Sequence, residues 1–170
     1  MLDRSGFWPA PPTPDARLVG DGLDVRLLPP LPQVMVSGDL TGFLARHDLS
    51  PAVGLLAPVT PPRYALRLAR NRMLAVGVVQ DHAASGWAEG VATTPMTGAL
   101  AVLQISGPRR MDLFARASAI DPKAGSPSAA LNFAGVTAAL CQDDEGLRLH
   151  VDRSLVSYLL DWITATGMAA

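Results

Sequence analysis

The sequence predicts an α+β domain made of two halves, each with the element order βαββα and an antiparallel sheet covered by helices. Stretches that alternate with period two recur in the same order in both parts of the chain. In each part the first such stretch ends in Ser-Gly before a helical stretch, at Ser37-Gly38 and at Ser106-Gly107. This matching succession of strand, break, helix and hairpin is typical of a pseudo-duplicated domain with ferredoxin-like halves.

The composition favours one compact body. The 170 residues are 49% hydrophobic and 17% charged, which is enough apolar surface to offset the entropy lost on ordering. The formal charge is −1 and the basic residues are not clustered, so nucleic acid is not expected as a partner. No apolar run approaches the roughly 20 residues of a membrane span, and the first residues lack a signal-peptide pattern. We therefore expect a cytoplasmic protein.

Residues 1–32 form a predicted proline-rich arm with one short strand, Leu23–Leu27. Phe7 and Trp8 lie in this arm and have few local apolar neighbours, so they are candidate interface residues for another subunit. A fold-back of the arm onto its own domain is equally consistent with the sequence.

The first half is predicted over residues 33–95. It begins with a strand at Gln33–Ser37, followed by a helix that Asp39 caps. Two strands over 63–69 and 73–79 flank the polar turn Arg70–Arg72 and predict a hairpin. A weaker helix is predicted from Asp81 to Glu89.

The second half is predicted over residues 96–170. A strand at Leu100–Ile105 precedes a helix that starts near Pro108 and carries Met111, Phe114, Ala115 and Ser118 on one face. Strands at 131–141 and 147–151 meet at a turn over Asp143–Gly146. The last helix starts near Asp152 and has an apolar stripe, which predicts that Trp162 is in the core. The stripe consists of Leu155, Tyr158, Leu159 and Trp162.

None of the three histidines, His47, His82 and His150, has a second metal ligand at a suitable spacing. His150 alternates with Leu149 and Val151 and so is predicted to lie on the polar face of its strand. We expect a solvated histidine there, and a general base is the alternative.

Cys141, the only cysteine, lies in an apolar run and is expected to be a small buried side chain, with a reactive thiol as the alternative. Asp143, Asp144 and Glu145 are expected to form a solvated turn, with a cation site as the alternative. The chain contains no phosphate-binding glycine loop and no serine-hydrolase elbow. The residue patterns therefore predict no catalytic, cofactor-binding or metal-binding residue.

Several stretches of the second half nevertheless resemble a known family, the gamma subunits of heterotetrameric sarcosine oxidase. The most specific pieces are Asp152-Arg153-Ser154 and the helix that carries Tyr158 and Trp162. The first half matches more loosely, through residues 31–39 and 73–77. The other matching stretches are Leu103–Ala115, Ile120–Pro122, Phe133–Thr137 and Gly146–Leu155.

The resemblance implies the fold of the aminomethyltransferase folate-binding domain and a place in a complex with alpha, beta and delta subunits. It implies no cofactor in this chain, and assigns FAD, FMN, NAD, zinc and tetrahydrofolate to the other subunits. A non-catalytic structural subunit of a complex that demethylates sarcosine or a related secondary amine is thus expected.

Two alternatives remain open at this point. One is a stand-alone folate-binding or aminomethyltransferase-like protein, and the other is a homo-oligomeric binding module. A roomy polar pocket between the halves would favour folate binding, whereas a filled, apolar centre would favour the structural subunit.

Overall fold

The structure is a computed structural model that describes residues 12–14, 16–79 and 86–169, which form eleven strands and three α-helices. The helices are α1 (Leu40–Arg46), α2 (Arg110–Ala117) and α3 (Val156–Ala165), and a 3₁₀ turn over Arg153–Leu155 precedes α3. The strands are β1 (Arg17–Gly20), β2 (Leu23–Leu27), β3 (Gln33–Gly38), β4 (Tyr64–Ala69), β5 (Arg72–Val76), β6 (Gly86–Ala88), β7 (Val91–Pro95), β8 (Leu100–Ser106), β9 (Ala130–Phe133), β10 (Val136–Asp143) and β11 (Gly146–Asp152).

The strands form two antiparallel sheets that repeat one pattern. The six-stranded sheet has the order β1-β2-β8-β11-β10-β9, and the five-stranded sheet has the order β4-β5-β3-β7-β6. In both sheets the first strand of a half pairs with the second strand of its hairpin, β3 with β5 and β8 with β11. A further strand flanks the first strand on its other side, β7 in one sheet and β2 in the other. This arrangement confirms the predicted α+β fold with antiparallel sheets.

The two Ser-Gly breaks have equivalent roles. Gly38 and Gly107 adopt φ angles of +114° and +98°, which favour glycine. A Cβ atom on Gly38 would lie 2.3 Å from the carbonyl oxygen of Gly90, and one on Gly107 would lie 2.4 Å from that of Gly22. Because glycine has no Cβ atom, the end of β3 can lie against the turn before β7. The end of β8 lies against the turn before β2 in the same way.

The elements stack in four layers. Helices α2 and α3 cover the outer face of the six-stranded sheet with a cluster that includes Phe114, Phe133 and Leu159. Helix α1 covers the outer face of the five-stranded sheet, where Phe43 is buried. The inner faces of the sheets pack on each other through a third cluster that includes Leu66 and Cys141. The central strands are consequently buried on both faces.

Local signals explain the helix starts. The side chain of Asp39 accepts a hydrogen bond from the backbone N–H of Gly42 at 3.0 Å, as an N-cap residue does. Asp152 accepts one from the backbone N–H of Ser154 at 2.8 Å and starts the 3₁₀ turn. None of the described helices is long and apolar enough to cross a membrane.

Three sequence-based predictions are corrected by the strands. Residues 86–88 form β6, so the helix predicted over 81–89 is wrong there, and residues 81–85 lie outside the described part of the chain. The single strand predicted over 131–141 is a hairpin, because Ala134 and Gly135 turn the chain with positive φ angles. Residues 17–20 of the predicted arm form β1, which pairs with β2.

The faces of two helices also differ from the prediction. In α2 the buried residues are Leu113, Phe114 and Ala117, whereas Ala115 is exposed. In α3 they are Val156, Leu159 and Ile163, and the predicted core residue Trp162 is only partly buried, with its ring edge-on to Phe133 at 6.4 Å. The 3₁₀ turn before α3 has about three residues per turn, so it shifts the phase of the helix that follows.

Candidate functional site

His150 lies in the layer between the two sheets and is only 2% exposed, so the predicted solvated histidine is wrong. The prediction correctly separated His150 from the apolar face of β11, but the opposite face is covered by the five-stranded sheet. The cross-strand neighbours gave a signal for this, because His150 lies opposite Ala139 and Arg148 lies opposite Cys141. Small apolar residues beside polar ones indicate a covered face rather than a solvated one.

A directed chain of hydrogen bonds fixes His150. The side-chain amide nitrogen of Gln33 donates to the carbonyl oxygen of Leu100 at 3.2 Å, so its oxygen Oε1 faces His150. Nδ1 of His150 lies 2.7 Å from that oxygen and must carry the proton, since an amide oxygen only accepts. Nε2 is then the acceptor for the hydroxyl of Tyr64 at 3.0 Å. This chain joins β4 and β3 of one sheet to β11 and β8 of the other.

The burial of this chain sets its protonation states. Loss of solvation, with a smaller contribution from the charge of Arg148, lowers the pKa of His150 to about 3. Burial likewise raises the pKa of the Tyr64 phenol and raises that of the Cys141 thiol to about 12. At neutral pH all three groups are therefore uncharged, and the phenol and thiol keep their protons.

A second polar group, the Arg148–Asp143 ion pair, lies beside Tyr64. The guanidinium of Arg148 is 5.9 Å from the centre of the Tyr64 ring, and its Nε donates to Asp143 at 2.5 Å. The side chains of this pair are 11% and 4% exposed. Burial alone would raise the pKa of Asp143, but the hydrogen bond and charge of Arg148 outweigh it and lower the pKa.

The remaining oxygen of Asp143 accepts from the side-chain nitrogen of Gln104 at 3.1 Å. It also accepts the backbone N–H groups of Glu145 and Gly146, at 3.0 Å each. Asp143 is therefore not a solvated turn residue as predicted, although Asp144 and Glu145 are exposed.

Little room remains between the sheets near His150. A cavity of about 130 Å³ adjoins the ring and is lined mainly by apolar side chains, among them Met35, Leu74 and Leu100. Sites for drug-sized ligands have volumes of about 300–1,000 Å³. The centre is thus filled and largely apolar apart from the hydrogen-bonded chain, and both ring nitrogens of His150 already have partners.

The other candidate residues are dispersed. Cys141 is fully buried, which confirms the predicted small buried side chain. His47 lies half-buried beside Phe43 on the far face of the five-stranded sheet. Phe7, Trp8 and His82 lie outside the described residues. In the described ranges, no three residues among the histidines, cysteines and carboxylates come together as a metal site.

Sequence reasoning missed Gln33, Tyr64 and Arg148 as members of this polar layer. Gln33 and Tyr64 are the first residues of β3 and β4, and Arg148 alternates with Leu147 and Leu149 in β11. Within its own strand, each therefore resembles an outward-facing polar residue. Taken together, these side chains connect the sheets and position one another. The geometry supports a structural role for the layer.

The comparisons with known proteins agree with this architecture. One chain of the heterotetrameric sarcosine oxidase from Corynebacterium sp. U-96, solved in complex with pyrrole 2-carboxylate, is similar in structure with a TM-score of 0.66. The alignment covers 86% of this chain and 85% of that chain at 18% sequence identity, which establishes a shared fold. No family model matches the sequence, and no curated protein matches it.

Proposed function

We propose that this chain is a non-catalytic structural subunit of a heterotetrameric sarcosine oxidase-like flavoenzyme complex. Such a complex would oxidatively demethylate sarcosine or a related secondary amine. The observation that carries the proposal is the structural likeness, because it spans most of both chains. The alignment covers 85% of that chain, so the likeness extends over most of one subunit of that complex.

The polar layer supports the structural half of the proposal. A general base needs a free basic nitrogen within reach of a substrate, whereas both nitrogens of His150 are engaged inside the protein. A nucleophilic cysteine needs a lowered pKa and some exposure, whereas Cys141 is buried and its pKa is raised. The narrow apolar cavity beside His150 also supports this assignment over folate binding by the chain alone.

The partners in this proposal are the alpha, beta and delta chains of the complex. FAD, FMN, NAD, zinc and tetrahydrofolate would be held by those chains and not by this one. The contribution of this subunit would be buried interface, which stabilises the assembled complex by mass action.

Co-expression tests the proposal directly. The full chain should be produced with the products of its neighbouring genes, and the purified assembly measured by native mass spectrometry. We expect a stoichiometric complex that contains one copy of this chain and oxidises a secondary amine. Recovery of this chain alone, or as a homo-oligomer, would overturn the proposal.

Phe7 and Trp8 provide a second test at the proposed interface. Replacing both with alanine should weaken assembly at least about tenfold, as loss of aromatic anchors does, and leave the melting temperature of the isolated chain nearly unchanged. Trp87→Ala is a matched control, because Trp87 is 71% exposed. A large fall in melting temperature with unchanged assembly would place the pair in this domain's own core. Since residues 17–20 form β1, point variants are a cleaner test than deletion of residues 1–20.

A further inference from the structure

A charged cleft lies at the edge of the six-stranded sheet, beyond the area that the five-stranded sheet covers. It has a volume of about 390 Å³, within the range of small-molecule sites. The cleft is lined by Arg17, Asp24, Arg26, Gln104, Ser106 and Glu145. Two arginines and two carboxylates make this lining neutral overall and strongly polar.

The strand register explains how the charges are arranged. Arg26 on β2 lies directly opposite Arg17 on β1 and opposite Gln104 on β8, and Gln104 in turn lies opposite Arg148 on β11. Directly opposite residues point to the same face of a sheet, so these four side chains form one row of mainly cationic groups. Each arginine of the row pairs with a carboxylate beside it, namely Asp24, Glu145 or Asp143.

Gln104 is the residue of this row whose hydrogen bonding is incomplete. It is 3% exposed, and its nitrogen donates to Asp143, but its buried oxygen Oε1 has no hydrogen-bond donor among the described residues. A buried amide oxygen without a donor is costly, and such groups are rare in folded proteins. The hydrogen bonds that begin at Asp143 therefore end at Gln104, which lines the cleft and whose oxygen Oε1 is an unused acceptor.

Arg26 is the cation best placed to bind a ligand. Arg17 makes two contacts to Asp24, whereas Arg26 makes a single contact of 3.4 Å to Glu145, beyond the usual hydrogen-bond range. Its side chain is 46% exposed. Ligand binding would thus replace only a weak ion pair.

We infer that this cleft binds a small zwitterionic amino acid, with the carboxylate on Arg26 and the ammonium group donating to Gln104 and Glu145. A simple anion would meet Asp24 and Glu145, and a simple cation would meet two arginines, whereas a zwitterion matches both signs. Neighbouring strands are about 5 Å apart, so the two ligand charges must be close together, as they are in an α-amino acid. This site is independent of the proposed assembly.

The test uses the isolated full-length chain, labelled with ¹⁵N, and glycine as the probe. Glycine should produce saturable shifts in the side-chain amide signal of Gln104 and the Nε–H signal of Arg26. Acetate and methylammonium, each carrying one half of the zwitterion, should bind at least about tenfold more weakly at the same ionic strength. Because no partner chain is present, the outcome does not depend on whether the complex forms.

Variants locate the binding. Arg26→Gln, on the exposed rim, should weaken glycine binding about tenfold or more. Arg109→Gln should not, since Arg109 forms a comparably exposed pair with Asp112 outside the cleft. Absence of saturable shifts, acetate binding as well as glycine, or equal effects of the two variants would overturn the inference. The inference would also be overturned if Arg26→Gln weakened only the assembly of the complex, because the cleft would then be a contact surface for another subunit.

Discussion

The two halves arrange their central strands alike but are covered differently on their outer faces. The six-stranded sheet carries two helices and buries Phe114, Phe133 and Leu159 completely. The five-stranded sheet carries the seven-residue α1, whose main core side chain is Phe43. A repeated arrangement of strands therefore does not imply a duplicated core. We expect the second half to hold most of the folding free energy and the first half to depend on the layer between the sheets.

Paired core truncations are the strongest test of this difference. Phe114→Ala should lower the free energy of unfolding by about 4–5 kcal/mol, because Phe114 has no exposed surface and its removal leaves a closed cavity. Phe43→Ala should cost about 3 kcal/mol, since Phe43 also lines an open cleft of about 260 Å³ that water can enter. Urea midpoints and m-values measure both effects.

If an alanine variant does not fold, the milder substitutions Phe114→Leu and Phe43→Leu provide the same test. We expect Phe114→Leu to lower the free energy of unfolding more than Phe43→Leu, with smaller losses than for alanine. Equal costs in the two halves would contradict the unequal distribution of stability.

The layer between the sheets should make stability depend on pH. The pKa of His150 is about 3 in the folded protein, below the ordinary value of 6.5 that it regains on unfolding. The unfolded state then binds the proton first, so stability is fully present above about pH 6.5 and falls with decreasing pH. Between pH 6.5 and pH 4 the loss is about 3 kcal/mol, at 1.36 kcal/mol per unit.

Urea unfolding at several pH values between 7 and 4 measures this slope, and His150→Gln should flatten most of it. His47→Gln is the control in the first half. Burial also lowers the pKa of His47, but its ring is partly exposed, so its contribution is smaller. A slope that persists in His150→Gln would assign the pH dependence to other groups.

The sequence predicted the parts of the fold that depend on local pattern. The cap at Asp39, the start of the last helix near Asp152, the hairpin at Arg70 and the Ser-Gly breaks follow from the chemistry of short segments. Strands β6 and β7 were missed because glycines and polar residues obscure their alternation. The turn at Ala134 was missed because alanine rarely adopts a positive φ angle.

The site was harder to predict than the fold, for a physical reason. Alternation along β11 separates two faces but does not say what covers each of them, so Arg148 and His150 looked solvated. Only the packing of the second sheet places Tyr64 and Gln33 against them. Partners that lie 86 and 117 positions away in the sequence leave no local pattern.

Two conservative tyrosine substitutions compare the cost of a lost hydrogen bond in the buried layer with that at the surface. Tyr64→Phe leaves Nε2 of His150 without a donor and should cost about 2 kcal/mol, the penalty for a buried unpaired acceptor. Tyr158→Phe removes a hydrogen bond of 2.7 Å to the carbonyl oxygen of Ala134. Tyr158 is 45% exposed, so water can replace the lost donor and the cost should stay below about 1 kcal/mol. Similar costs would mean that the layer admits water.

A substitution in α3 with a modest expected effect tests how far the outer core of the second half extends along this helix. Trp162 packs edge-on against Phe133 but is only partly buried, because α3 directs Leu159 and Ile163 at the sheet. Trp162→Ala should therefore cost about 1.5 kcal/mol, well below the 3–5 kcal/mol of a fully buried aromatic side chain. Leu159→Ala, on the buried face of the same helix, is the matched comparison and should cost more, at about 3 kcal/mol. If Trp162→Ala proves the more damaging of the two, the stripe through Leu155 and Tyr158 faces the core, and the phase shift assigned to the 3₁₀ turn is wrong.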